Sequence, residues 1–457
     1  LCDRRQRQMC IRDRYKREAK DMSDIKLKEQ RELYYKLVRN TKLESFQTQE
    51  IKRGIQAGLS LEQISIYAKE KYNWKQMGEI REGLEHGLTT EQVSIYADEH
   101  FSGPKMWEIR EALESGIGMD KIKMLINHKF TEAQMREIRL GFKDKLTKNQ
   151  VALYAKPEFL SEQMDVIRDA LKTRVSMEKV SVFADPKFSP FQMDALFKAF
   201  LAGLTIEQVQ KIADPEYTSN QMWQIRYGYE NKFTDEQMAL LRNKELDHLQ
   251  MNEISNSFYP PNIIPADIVK IYANPELNTD QIHFLNLLAK EGKSKELITF
   301  CADPRFSAQQ TEILCNGVHC GLDIDKLKVY ADPDLTPLKM EEILEGFYNG
   351  LAIEDVERYA KKEYTAGTMH DYRILLEHGI KDMELYNDIK EKYSYLEKDQ
   401  LMELGRAASM GFSWGKIDFL ASKKLAADEL KIIINSSIRE KQKTKSKIRG
   451  DERNGRS

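Results

Sequence analysis

The side chains of this chain best placed to do chemistry form a ladder of cations. Arginine recurs every 29 residues at Arg81, Arg110, Arg139 and Arg168, and returns in the same register at Arg226 and Arg373. One guanidinium per rung would suit a polyanion, because phosphate contacts release counterions. A structural use competes, since half-buried charges need partners. Asp98, Asp185, Asp214, Asp303 and Asp332 recur between repeats and predict an inter-repeat Arg–Asp pair. Glu85 and Glu114 lie one helical turn after Arg81 and Arg110 and partly neutralise them. Pairing within the fold is therefore the expected use of the ladder.

Two tryptophans, Trp107 and Trp223, stand at a position that otherwise varies freely: Gly78, Arg136, Asp165, Asn252, Glu341. An indole at such a tolerant position is a candidate anchor for a protein partner, because tryptophan is enriched at binding hot spots. Catalytic signatures are missing. The eight histidines are scattered without an i, i+4 pair, no serine or cysteine sits in a nucleophile motif, and no glycine-rich phosphate loop is present. Cys301, Cys315 and Cys320 with His319 lack the paired C-x-x-C spacing of a zinc site, so neither metal nor cofactor is expected.

What must position these residues is a repeat. The ladder follows an isoleucine at 51, 80, 109, 138 and 167, and a unit of about 29 residues is rewritten about thirteen times over 46–437. Thr131 and Gln134, flanked by Phe130 and Met135, form a capping box with a hydrophobic staple, which predicts a helix start. Pro190 and Pro337 fall at the first helical position, where a missing N–H costs nothing. Glycines such as Gly87 and Gly203 end this helix, and a second box follows at once, as in Thr89 and Gln92. The second helix, about nine residues long, ends near Tyr96 or Tyr154, and a proline such as Pro157 or Pro186 bars continuation. Small residues at Gly54, Gly83, Ala112, Gly141 and Ala170 predict close approach of another helix.

The chain is thus expected to be all-α, an α-solenoid superhelix of helix-turn-helix repeats. Residues 1–16 fit no repeat and read as an adapter-derived scar, 17–45 as a capping helix, and 438–457 as a basic, solvated tail. The period slips near 255–267 and 394–400, which predicts bends or loops. With 71 basic against 73 acidic residues the chain as a whole has no pull toward nucleic acid or anionic membranes. No apolar run is long enough to span a bilayer, and sparse cysteines fit a reducing, cytoplasmic setting.

The QM-x-x-IR-x-G-L and YADP signatures, carried by Gln134, Met135, Ile138, Arg139 and Gly141 and by Tyr330, Ala331, Asp332 and Pro333, resemble those of uncharacterised bacterial α-helical repeat arrays. The likeness covers about 46–437, and the repeat is loosely similar in architecture to HEAT-type repeats. It implies a fold and no activity. Fixed core columns beside variable surface columns predict a non-enzymatic scaffold for a protein partner. The alternative is a nucleic-acid-binding array using the arginines and the basic tail.

Overall fold

The computed structural model describes residues 27–439. Among these residues all regular structure is helical. Thirteen pairs of a longer and a shorter α-helix run from Ser45–Ala57 to Trp414–Ser422, between a helix over 27–38 and another over 427–439. Within each of two compact units, long helices pack on the long helices of neighbouring repeats in most places, the neighbour-to-neighbour packing of an α-solenoid. One unit ends at Asn231 and the other begins at Lys232. The helix over 27–38 lies on the first long helix, where Gln30 Nε2 donates to the Ile55 carbonyl at 3.4 Å. Residues 438 and 439 belong to the final helix; the remainder of the basic tail, residues 1–16 and residues 17–26 lie outside the described residues.

Local chemistry sets each helix start. In the fourth repeat the Gln134 amide donates to Thr131 Oγ1 at 3.2 Å while the Thr131 amide donates to Gln134 Oε1 at 2.7 Å, the reciprocal box read from sequence. Phe130 and Met135, the staple, are both buried. The second helices are shorter than the spacing predicts, five residues in Thr90–Ser94 and seven in Ile206–Ile212. In the former the chain tightens to an i→i+3 bond, Tyr96 amide to Val93 carbonyl at 3.1 Å, before leaving the helix.

The small-residue column makes room for a side chain from the second helix or the turn that ends it. A Cβ on Gly54, Gly83, Gly141, Gly317 or Gly346 would overlap the hydroxyl of Tyr67, Tyr96, Tyr154, Tyr330 or Tyr359, thirteen residues on in each case. In most of these repeats the hydroxyl donates to a carbonyl of the long helix, as Tyr359 does to Glu342 at 3.1 Å. Where the column is Ala112, Ala170 or Ala199, the residue thirteen positions later is Leu125, Phe183 or Ile212, none of which carries a hydroxyl. At Ser257 the hydroxyl is hydrogen-bonded to that of Tyr272 at 2.9 Å, and Gly228 breaks the pattern, since Leu241 stands thirteen residues on.

The two irregular stretches both lie in the second unit. At 255–267 the long helix shortens to His248–Asn256, nine residues against the usual twelve, and the chain takes a longer path to Ala266–Tyr272. Before 394–400 the second helix lengthens to the ten residues of Met383–Lys392.

Candidate functional site

The ladder arginines face into the stack. Arg81, Arg110, Arg139, Arg168 and Arg226 are all at most 9 % exposed. Their partners are not the aspartates that the sequence suggested. Arg81 Nε reaches Glu50 at 2.9 Å, Arg110 reaches Glu79 at 2.9 Å, Arg139 reaches Glu108 at 2.6 Å and Arg168 reaches Glu137 at 2.9 Å, each acid coming from the preceding repeat. Glu85 and Glu114, one turn along the same helix, add bonds at 2.6 and 2.9 Å to Arg81 and Arg110. Burial works against the Arg81 charge, but the Glu85 and Glu50 carboxylates outweigh it and hold the guanidinium above its usual value. Burial likewise pushes Glu79, Glu108 and Glu137 up, with their arginines pulling the other way.

The aspartates do a different job. Asp98, Asp185, Asp303 and Asp332 each accept, through Oδ1, the amide two residues on, at 3.0 to 3.1 Å. This Asx turn shapes the loop that leads into the next long helix. That loop is then gripped from the preceding repeat: Gln134 Nε2 donates to the Pro157 and Phe159 carbonyls at 3.1 and 2.5 Å, and Gln163 does the same to Pro186 and Phe188. The glutamine at N3 of a long helix therefore caps its own helix and clamps the following repeat. Lys105 and Lys339, which replace it in two repeats, reach the carbonyls of His128 and Lys362 with their ammonium groups.

Arg226 departs from its ladder mates. The glutamate that would meet it from the preceding repeat is Ala195 in this sequence. Its Nε is 2.9 Å from Glu230 Oε1 but lacks hydrogen-bond alignment, and its guanidinium stacks 3.8 Å from the Trp223 ring centre. Lys198 Nζ lies 5.1 Å from the same ring. Trp223 is consequently half-buried between cations, not the free indole its variable position implied.

Trp107 is different. It is 37 % exposed, with the Arg139 guanidinium 5.2 Å from its ring. With Trp74 and Gly78 it lines a groove of about 610 Å³ in the first unit. Trp74 is 44 % exposed and tilts against the exposed Phe46 at 5.9 Å between ring centres, so successive repeats present a row of aromatics. Small side chains open the groove: Gly78, Gly103 and Ala133 line it where other repeats carry larger residues. Trp74 and Phe46 were not singled out in the sequence, because they sit at the start of their helices, outside the column that holds Trp107.

The remaining candidates stay apart. Among the described residues no three His, Cys, Asp or Glu side chains are grouped to hold a metal ion. Cys301 and Cys315 are buried free thiols, and the Cys301 contact together with burial holds the Cys315 thiol far above its ordinary value, which disfavours the reactive thiolate. His86, His283, His319 and His370 sit on the surface, each within 3.3 Å of a glutamate from an adjacent repeat. No helix of the described residues is long and apolar enough to cross a membrane. No protein-family model matches the chain, and no curated protein matches it in sequence.

Proposed function

We propose that this chain is a non-enzymatic scaffold that holds a protein partner in the groove of its first unit. One observation carries the reading: Trp74 and Trp107 line one groove with 44 and 37 % of their surface exposed, and Trp74 lies against the exposed Phe46, whereas the other aromatic candidate, Trp223, is enclosed by Arg226 and Lys198. Exposed aromatics that flank a groove are the usual anchors of protein contacts. The nucleic-acid reading has less to draw on. Its ladder arginines are buried against carboxylates, which leaves the basic tail, residues 438–457, to carry it.

Affinity capture from native lysate tests the scaffold. A partner should be retained by the wild type and by Trp223→Ala and lost by the double variant Trp74→Ala/Trp107→Ala, with unchanged circular dichroism in each. Undiminished capture by the double variant would sink the reading. Binding of single-stranded or duplex DNA or RNA that falls steeply with salt would instead support the tail-based alternative.

A further inference from the structure

Four ladder arginines have every guanidinium nitrogen engaged. Arg110 gives Nε to Glu79, Nη1 to Glu114 and Nη2 to Glu82, at 2.9 to 3.2 Å. Arg81, Arg168 and Arg373 likewise meet a carboxylate at each of the three nitrogens, and Arg139 keeps Glu108 on Nε. Arg226 has neither arrangement. Where Arg110 draws acids from 31 and 28 residues earlier, Arg226 finds Ala195 and Lys198. The third acid is present as Glu230, but it lies by Nε instead of Nη1 and out of hydrogen-bond alignment. Arg226 is only 8 % exposed, so a guanidinium more than nine-tenths buried has no carboxylate on either Nη among the described residues. Trp223, with its ring centre 3.8 Å from the guanidinium carbon, covers a face and leaves the in-plane N–H donors free. Nε is the nitrogen that is wholly enclosed, which puts the opening at the Nη edge, beside the half-exposed side chains of Tyr227 and Lys198. Net charge is not what is unmet here, because Asp194 pairs with Lys198 at 2.7 Å and Glu230 accompanies Arg226. The unmet demand is for hydrogen-bond acceptors.

We propose that the Nη edge of Arg226 is a binding site for a carboxylate from outside the chain. The ladder itself names the ligand, since at four other joints the group on this edge is a carboxylate. A carboxylate accepts two parallel N–H bonds from such an edge, and Lys198 stands where it can add a second cation. The same chemistry belongs to a free organic acid and to an aspartate or glutamate of a bound protein, which would give the scaffold a contact outside its groove.

Thermal unfolding of the full chain in sodium acetate, against sodium chloride of equal ionic strength, tests the site, with an end-blocked Gly-Gly-Glu-Gly-Gly peptide as a second probe. A ligand that binds only the folded state raises the midpoint, here by about 2 °C near saturation. Lys198→Glu, at an exposed side chain, supplies the acid that Glu82 gives Arg110 and should abolish the response to both probes. Arg226→Leu, which copies Leu344 of the eleventh repeat, removes the donors and should abolish it too. A shift of equal size in wild type and both variants is a bulk salt effect and overturns the site, as does the absence of any shift in wild type. With the shift confined to wild type, protection by the peptide at lower concentration than acetate assigns the site to a protein side chain, and the reverse order assigns it to a free acid.

Discussion

From the second to the fifth repeat, the position after the anchor isoleucine is an arginine held by a glutamate of the preceding repeat, as Arg139 is by Glu108 at 2.6 Å. In the sixth and eleventh repeats the same register holds Phe197 with Val166 and Leu344 with Ile313, apolar at both places. Phe197 and Ile313 are buried as the ion pairs are. The joint between repeats therefore requires a matched pair, and charge is only one way to make it. That agrees with the general behaviour of buried ion pairs, which apolar pairs can replace at little cost while a single orphaned charge is expensive. Arg226, whose partner position is Ala195, shows the mismatched case: Trp223 and Glu230 enclose a guanidinium that the joint leaves unmatched.

Breaking one pair gives the largest effect. Glu108→Ala strands Arg139 and should cost about 3–5 kcal/mol by urea unfolding, whereas Glu108→Ile/Arg139→Leu, copying the eleventh repeat, should stay within about 1 kcal/mol of wild type. Equal losses in the two variants would mean that the charges themselves hold the joint. Next comes the glycine column. Gly141→Ala drives a methyl into the Tyr154 hydroxyl and should cost about 1–3 kcal/mol, with Tyr154→Phe restoring most of it. Failure of that rescue would show that the hydroxyl is not the obstacle.

A smaller difference separates the two glutamine columns. Gln134→Ala removes a cap and two clamp bonds and should lose about 1–3 kcal/mol, while Gln150→Ala, whose side chain makes only the local box, should lose about 0.5–1 kcal/mol. Thermal melts that rank the two equally would remove the clamp. Smallest is the Asx turn. The Arg305 side chain and amide hold the Asp303 carboxyl below the usual aspartate range, against a modest push from burial. A depressed folded pKa means the folded state binds that proton less tightly than the unfolded chain. Its stabilisation is complete above the unfolded pKa and disappears as pH falls through the folded one. Wild type should therefore exceed Asp303→Asn at neutral pH and converge with it in acid, as read from urea midpoints across pH; a constant gap would contradict the turn's electrostatic role.

Much of the fold was legible because its causes are local. Thr131 and Gln134, Pro190 and Gly87 act on their own helix ends, within a few residues of sequence. The partner of Arg139 was harder, since two acidic columns are equally periodic and only packing decides which faces the ladder. A covariation was nevertheless present: glutamates at 50, 79, 108, 137 and 342 accompany arginines 31 residues later, and both vanish together at Val166 with Phe197 and Ile313 with Leu344. Gly141 with Tyr154 and Ala170 with Phe183 form a similar signal. The groove had no such signature, because it comes from side chains that are absent at Gly78, Gly103 and Ala133. Trp107 was visible as an anomaly in its column, but the role of its neighbour Trp74 and the burial of Trp223 are decided by packing between repeats.

The clamp glutamine has a practical corollary. Gln250 grips the Leu277 carbonyl at 2.6 Å although 27 residues separate them instead of the 25 between Gln134 and Phe159. The coupling thus survives two extra residues looped out after a long helix, provided that the ends return to their places. A fluorescent reporter or an epitope spliced in between Phe258 and Ile264 should ride on the array without loosening it, which makes that stretch a natural handle for tethering the protein to a surface.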